Sequence, residues 1–203
     1  MRVGVLASGA GTNLQALLDG VHAPGGAVEI VAVASDQPAA PALRRAEAAA
    51  VATRVFAPAD HADRAARDAA LLAWLEEQDV ELVVLAGYMA LLDAAFVQRW
   101  AGRLVNVHPS LLPAFPGLRA IEQAFAYGVD LYGVTVHLVD EGVDTGPILL
   151  QEAMRVPEAE SAEEVREALR PVEHRLLCTV VTAFAAGRVL QHPQRPRQWR
   201  VDP

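Results

Sequence analysis

The stretch ELVVLA at residues 81–86 is a nearly continuous apolar run. A strand covered on both faces, as at the centre of a parallel sheet, has this composition. Outward from it, β-rich runs alternate with helical patterns. The runs predict strands at residues 2–7, 28–34, 52–56 and 103–107, and helices at residues 12–21, 39–50, 60–78 and 93–100. Such alternation indicates right-handed βαβ crossovers, so we predict an α/β fold with a mostly parallel, twisted sheet and helices on both faces.

The pattern changes after residue 130. Two extended runs, 132–139 and 148–156, are joined by residues rich in Gly, Asp and Pro. They predict an antiparallel C-terminal extension of the sheet with a long functional loop. A helix is expected from Ser161 to about Ala186, with Gly187 as its stop.

We expect one catalytic domain, residues 1–190, followed by a tail, residues 191–203, that lies loosely on the surface.

The composition excludes several function classes. All 17 basic residues are arginine, which excludes lysine Schiff bases and the lysine-bearing P-loop. A net charge of −8 argues against general nucleic-acid binding. No run approaches the roughly 18 apolar residues of a membrane span, and the chain opens on a strand signal. We therefore expect a cytoplasmic protein. Cys178 is expected to be a buried, inert thiol.

Residues 7–14, ASGAGTNL, follow the first predicted strand and open the first helix. Glycines leave backbone N–H groups free, and a helix N-terminus attracts an anion. Gly11, Thr12 and Asn13 are therefore candidates for binding a phosphate; the alternative is a plain turn capped by Thr12 or Asn13. A dinucleotide-binding loop fits less well, because Leu14 stands where its fingerprint needs a third glycine.

Asn106 and His108 stand at the end of the fifth predicted strand, in the run NVHPSLLP at residues 106–113. Ligands of open α/β sheets bind at the carboxyl ends of strands, and residues two apart leave a strand on the same side. Histidine can shuttle protons near neutral pH, and an Asn amide can donate to a developing oxyanion. The pair predicts acid–base or oxyanion chemistry, with a structural histidine as the alternative.

Three carboxylates, Asp140, Glu141 and Asp144, lie in the loop between the two extended runs. One of them close to His108 would favour the imidazolium and fix the ring tautomer, and the residues alone leave all three open. Their spacing lacks the twelve-residue calcium-loop pattern, so we expect no metal. His137, between two apolar residues of a strand, is expected to be structural.

Two stretches resemble the folate-dependent formyltransferases. Residues 106–113 are similar to the catalytic segment of that family, and residues 133–147, GVTVHLVDEGVDTGP, to its signature stretch. Residues 8–15 and 84–89 are similar to members that act on glycinamide ribonucleotide. The resemblance covers essentially the whole chain. It implies that the chain uses two small molecules and no metal, with 10-formyltetrahydrofolate as the co-substrate that formylates the amine of glycinamide ribonucleotide.

The resemblance also implies site residues. Asn106 and protonated His108 would stabilise the tetrahedral oxyanion, while Asp144 would favour the charged His108 and help move a proton to the folate nitrogen. The ribonucleotide would contact Gly11, Thr12, Asn13, Arg170, Pro171, Val172 and Glu173. The folate would contact Arg64, Met89, Ala90, Leu91, Leu92, Asn106, Asp140, Glu141, Gly142, Val143 and Asp144. Ala90 and Ala114 replace basic residues that are frequent in the family, so any contact at residue 90 would be backbone or apolar.

Other activities share this core. A tRNA formyltransferase or a formyltetrahydrofolate deformylase carries a further domain, for which 203 residues leave no room. Sugar-nucleotide formyltransferases are commonly larger or fused. A non-catalytic folate- or phosphometabolite-binding module is disfavoured because all three candidate catalytic residues are present. We expect a monomer or homodimer that binds neither nucleic acid nor membranes.

Overall fold

The computed structural model describes residues 1–202, in which the contacts divide into two compact units, residues 1–105 and the residues from 106 onward. The strands are β1 (Arg2–Leu6), β2 (Glu29–Ser35), β3 (Ala52–Val55), β4 (Leu82–Leu85), β5 (Leu104–His108), β6 (Tyr132–Leu138), β7 (Ile148–Met154), β8 (Val189–His192) and β9 (Arg195–Val201). The α-helices are α1 (Thr12–Gly20), α2 (Pro41–Ala48), α3 (Arg64–Glu77), α4 (Ala94–Arg99), α5 (Ala120–Tyr127) and α6 (Ala162–Ala185).

In the N-terminal unit the strand order is β3-β2-β1-β4, and the first residues of β5 follow β4 in this order. β1 pairs in parallel with β2 and with β4, and β2 pairs in parallel with β3. All four residues of β4 are buried. The apolar run that predicted a central strand is therefore an interior strand of a parallel sheet, as expected.

In the C-terminal unit β6 pairs antiparallel with β7, and all seven residues of β6 are buried. Gly133 is required within β6, since a Cβ there would lie 2.4 Å from the carbonyl oxygen of Glu152 and 2.5 Å from Leu111 Cδ2. Helix α6 packs against both strands. The predicted class, α/β with mostly parallel strands and an antiparallel C-terminal extension, is confirmed.

Helix α6 begins and ends where the sequence signals indicate. Ser161 Oγ accepts a hydrogen bond from the Glu164 backbone N–H at 3.2 Å, as the capping motif requires. Gly187 follows the helix with φ of 67°, the left-handed conformation of a helix stop.

Two other helices end without a glycine. Ala50 follows α2 with φ of 56°, and Asp79 follows α3 with φ of 51°. Both residues occupy the left-handed region, where a side chain is costly.

One prediction for the C-terminal half is wrong, and one helix there was not predicted. Helix α5 was not expected, and the residues expected to form a loose tail form an antiparallel hairpin, β8–β9, whose second strand contacts β7. The boundary between residues 190 and 191 stays a prediction, and Pro203 lies outside the described residues.

No helix in residues 1–202 is suited to spanning a membrane. None of the helices there combines the length and the apolar character that crossing a bilayer requires.

Cys178 is of intermediate exposure rather than fully buried, and burial raises the pKa of its thiol. An elevated thiol pKa fits the expected lack of reactivity.

Candidate active site

Strand β5 brings Asn106 and His108 to its carboxyl end on the same side. His108 is 5% exposed, and it is the last residue of the strand rather than the start of the following loop. A ring held on a strand has little freedom to turn, so its two nitrogens face fixed partners.

Both nitrogens of His108 have polar neighbours. Nε2 lies 2.9 Å from the carbonyl oxygen of Phe115, and Nδ1 lies 3.3 Å from Oδ2 of Asp144. Because a carbonyl oxygen can only accept, Nε2 carries a hydrogen. Nδ1 can then donate to Asp144 only when the ring is an imidazolium, and the contact is charge-assisted in that form.

The carboxylate of Asp144 collects donors on both oxygens. Oδ2 accepts from the Gly117 N–H at 2.7 Å and faces His108, and Oδ1 accepts from Asn106 Nδ2 at 3.3 Å. His137 Nε2 lies 3.5 Å from the same Oδ1. Burial would raise the pKa of Asp144, but the hydrogen bonds from His137 and Gly117 and the charges of both histidines outweigh it and lower the pKa to about 2. Asp144 is therefore held ionised.

Asp144 is the one of the three loop carboxylates that reaches His108. Asp140 instead organises its own loop, where Oδ1 accepts from Thr145 Oγ1 at 2.6 Å and from the Gly142 N–H at 3.1 Å. Glu141 is exposed. The contacts of the three carboxylates thus differ, although their spacing in the sequence gave no reason to prefer one of them.

His137 belongs to the same cluster, which the sequence did not reveal. It is 1% exposed; its Nδ1 lies 2.8 Å from the carbonyl oxygen of Leu138 and its Nε2 lies 3.1 Å from Asn106 Nδ2. The available signal was its position, one residue before the end of β6 and next to β5 in the strand order. Because ligands bind at the carboxyl ends of strands, a polar side chain at this position is a candidate site residue, as His108 is.

A second group of hydrogen bonds fixes the segment after His108. Thr135 Oγ1 donates to the Ser110 carbonyl oxygen at 2.7 Å and accepts from the Leu112 N–H at 3.1 Å. Gln151 Nε2 donates to the Leu112 carbonyl oxygen at 2.9 Å and to Thr135 Oγ1 at 2.8 Å. Thr135 is fully buried, and a buried polar group whose hydrogen bonds are all made rigidifies its surroundings.

In the N-terminal unit, the candidate phosphate loop opens α1 as expected. Its N-cap is Gly11, with φ of 72° and no side-chain capping bond, so the alternative of a Thr12 or Asn13 cap is wrong. Within residues 1–202 the N–H groups of Ala10, Gly11 and Thr12 form no hydrogen bond. The loop therefore presents a run of free donors at a helix N-terminus.

The candidate folate segment, residues 89–92, lies after β4 in the same unit. Met89 and Leu91 are 58% and 62% exposed, which is unusual for large apolar side chains. Arg67, which the sequence did not single out, is buried and donates to the Leu91 carbonyl oxygen at 2.7 Å. Arg64 is an exposed residue at the start of α3.

The candidate ribonucleotide residues 170–173 lie in the middle of α6. Arg170 pairs with Glu167 at 2.6 Å, and Pro171 sits inside the helix, where it removes one backbone donor. Val172 is 6% exposed and faces the core, so its side chain is not available to a ligand; Glu173 is partly exposed. No group of three or more potential metal ligands occurs in residues 1–202.

Comparison with known proteins gives consistent matches. The model of the formyl transferase family matches residues 1–181. A phosphoribosylglycinamide formyltransferase of Mycobacterium tuberculosis is 44% identical over 188 residues, which cover 93% of this chain and 86% of that protein. The structure of glycinamide ribonucleotide transformylase 1 from Symbiobacterium toebii matches with a TM-score of 0.92 and 44% identity, over 100% of this chain and 94% of that one.

Longer relatives contain the same region as one part. The trifunctional purine biosynthetic protein adenosine-3 of Bos taurus is 43% identical over 188 residues, which are 93% of this chain but 19% of that protein. The chain thus spans about a fifth of the length of these relatives.

Proposed function

The chain belongs to the formyl transferase family, and from this premise we infer that it formylates the amine of glycinamide ribonucleotide with 10-formyltetrahydrofolate, a step of purine biosynthesis. The products are formylglycinamide ribonucleotide and tetrahydrofolate. Relatives that are similar over most of their own length support this substrate pair.

One observation carries the proposal: Asn106, His108 and Asp144 lie in hydrogen-bonding contact around an ionised carboxylate at a strand end. We assign the catalytic roles to these three residues. In the reaction a C–N bond forms between the glycyl amine and the formyl carbon, and the bond from that carbon to the folate nitrogen breaks. The amine loses a proton and the folate nitrogen gains one.

His108 and Asn106 would stabilise the negative charge that develops on the formyl oxygen. The Nδ1–Oδ2 separation of 3.3 Å between His108 and Asp144 is long for a charge-assisted bond. In the imidazolium form the Nδ1–H can therefore be shared with a substrate oxygen, while Asp144 keeps the ring oriented. Asp144 would also assist the proton transfer to the leaving nitrogen.

We propose that the ribonucleotide phosphate binds at Gly11, Thr12 and Asn13, where the N–H groups of Gly11 and Thr12 form no hydrogen bond within residues 1–202, and that the ribonucleotide also contacts residues 170–173. For the folate we propose residues 89–92, residues 140–144, Arg64 and Asn106. The exposure of Met89 and Leu91, and of Val143 at 52%, supports contacts with a flat apolar ring.

We further propose that the protein acts in the cytoplasm on small molecules, without nucleic-acid or membrane partners, as a monomer or homodimer. The net charge of −8 opposes binding to a phosphate backbone.

The direct test is formyl transfer by the purified protein, measured as formylglycinamide ribonucleotide by mass spectrometry and as tetrahydrofolate by absorbance. A parallel reaction without the ribonucleotide measures hydrolysis. Product formation that depends on the ribonucleotide is expected. Release of tetrahydrofolate at the same rate without it would instead identify a hydrolase.

The roles are tested with His108→Ala and Asp144→Ala, beside two controls from the same unit, His192→Ala at a partly exposed residue and Asp130→Ala at an exposed one. Loss of an acid–base or charge-stabilising group costs about 10²-fold or more in kcat. The controls should keep the wild-type rate. A His108→Ala rate within about tenfold of wild type, roughly 1.4 kcal/mol, would remove His108 from the mechanism.

A further inference from the structure

Helix α2 holds the backbone of the candidate phosphate loop by two hydrogen bonds. The Ala42 N–H donates to the Gly9 carbonyl oxygen at 3.2 Å, and Arg45 Nε donates to the Ala10 carbonyl oxygen at 2.8 Å. The next carbonyl, of Gly11, accepts from the Gln15 N–H at 2.9 Å within α1. Three successive carbonyl groups of the loop are thus bonded to helices.

These bonds determine where the loop points its donors. In a planar trans peptide the C=O of one residue and the N–H of the next point in opposite directions. With the carbonyl groups of Gly9 and Ala10 turned towards α2, the N–H groups of Ala10 and Gly11 must point away from it. These are N–H groups that form no hydrogen bond within residues 1–202.

Arg45 is itself held in place. Its Nη1 donates to Gln15 Oε1 at 2.9 Å, and Gln15 Nε2 donates to Asp19 Oδ1 at 2.9 Å. The guanidinium therefore bridges α2, the loop and the first turns of α1 with donors in two directions, a geometry that a lysine ammonium reproduces poorly.

The approach of α2 to the loop is also close. A Cβ on Gly11 would lie 2.8 Å from both Cα and Cβ of Ala42, and 3.3 Å from Arg45 Cδ. Loop and helix are in direct van der Waals contact, so a change at Arg45 acts on the loop backbone without an intermediate.

We propose that Arg45 is a positioning residue for the ribonucleotide phosphate: by holding the Ala10 carbonyl, it aims the adjacent N–H groups of the loop at the phosphate. This inference rests on the proposed function, because it takes the phosphate of that substrate as the ligand of the loop. It predicts that Arg45 affects binding of the ribonucleotide and leaves the chemical step unchanged.

The kinetic test compares Arg45→Ala with Arg44→Ala. Arg44 is the adjacent residue of α2, carries the same charge and is exposed, and its side chain forms no hydrogen bond or ion pair within residues 1–202. Arg45→Ala should raise KM for the ribonucleotide about tenfold, with kcat within about twofold and KM for the formyl donor unchanged. Arg44→Ala should match wild type.

Arg45→Lys and Gln15→Ala separate geometry from charge. Lysine at position 45 keeps the positive charge but cannot donate to Ala10 and Gln15 at the same time. Gln15→Ala keeps Arg45 but removes its second hydrogen-bond acceptor. Both should raise KM for the ribonucleotide by less than Arg45→Ala does. Full recovery with lysine, or an equal rise in Arg44→Ala, would show that charge alone matters and would overturn the proposal. So would an unchanged KM in Arg45→Ala.

Binding of inorganic phosphate, followed by the rise in Tm, gives a readout independent of catalysis. The half-saturating phosphate concentration should increase about tenfold in Arg45→Ala and stay unchanged in Arg44→Ala. Equal phosphate responses of wild type and Arg45→Ala would overturn the role of Arg45 even in an active enzyme. A wild-type protein that fails to formylate glycinamide ribonucleotide would overturn the proposed function, while the phosphate titration would still decide on Arg45.

Discussion

At the scale of single residues, Asp144 shows how one carboxylate can organise a site. Two histidines, an amide and a backbone N–H surround its oxygens. Each histidine has its other ring nitrogen next to a backbone carbonyl oxygen, of Phe115 or of Leu138. The rings of the cluster are therefore held in fixed positions, which is what charge stabilisation without reorganisation requires.

The lowered pKa of Asp144 predicts a pH dependence of stability. Its folded-state pKa of about 2 lies below the usual value of 3.8, so the ionised group stabilises the fold above about pH 4 and this contribution is lost as pH falls towards 2. The contribution is on the order of 2 kcal/mol. Urea unfolding between pH 2 and 7 should show a flatter acid limb for Asp144→Asn than for wild type. Asp130→Asn, an exposed control, should keep the wild-type slope.

His137 should matter for rate more than for binding, because it contacts Asn106 and Asp144. We expect His137→Phe to lower kcat by about tenfold or more while both KM values change less than about threefold. His137→Gln, which can still bond to Asn106, should recover part of the rate. Circular dichroism and Tm establish that the variants fold. A rate for His137→Phe equal to wild type would leave His137 a structural residue.

The site was predictable where strand geometry decides it. Asn106 and His108 follow from alternation at a strand end, whereas Asp144 lies in a loop where its φ of 53° turns the carboxylate back towards His108. Backbone conformation of that kind leaves no mark in residue spacing. His137 was missed because Val136 and Leu138 give it the surroundings of a core residue.

At the scale of secondary structure, α3 begins at Arg64, four residues after its predicted start, while the other elements of the parallel part were predictable within a residue or two, because apolar runs and helical periodicity repeat. Helix α5 was not, since its N-cap, Arg119, has φ of 60° and no side-chain capping bond. The β8–β9 hairpin lacks an alternating pattern: five of the seven residues of β9 are exposed. An isolated hairpin is marginal in water, so contact with β7 stabilises it.

The hairpin also contacts the acidic loop, and this predicts an effect on the folate. Arg197 Nη2 donates to the Thr145 carbonyl oxygen, and Nη1 lies 3.9 Å from Asp140 Oδ2. Arg197→Ala should raise KM for the formyl donor about twofold to fivefold, a small effect because exposed ion pairs contribute little. Arg195→Ala is the control, since Arg195 bonds within its own strand to Gln198. Equal KM values for the formyl donor in both variants would show that the hairpin does not affect folate binding.

At the scale of the whole molecule, we expect the chemistry to rest on hydrogen bonds and charge rather than on a metal. We expect activity to stay within about twofold after dialysis against EDTA, because a catalytic metal would contribute several kcal/mol and its loss would be obvious. The measurement is the initial rate before and after chelation, with Mg²⁺ or Zn²⁺ added back. A rate that falls with EDTA and returns with one metal would contradict the expectation.

The residues in the left-handed conformation after α2 and α3 are positions at which substitution can make the protein more heat-stable. Ala50 and Asp79 adopt conformations that glycine reaches without steric cost, so Ala50→Gly and Asp79→Gly should each stabilise the protein by a few tenths of a kcal/mol up to about 1 kcal/mol. Calorimetry would show a higher Tm at unchanged kcat, and a lower Tm would count against the strain. Protein engineering can therefore raise heat tolerance at helix ends that carry none of the proposed site residues.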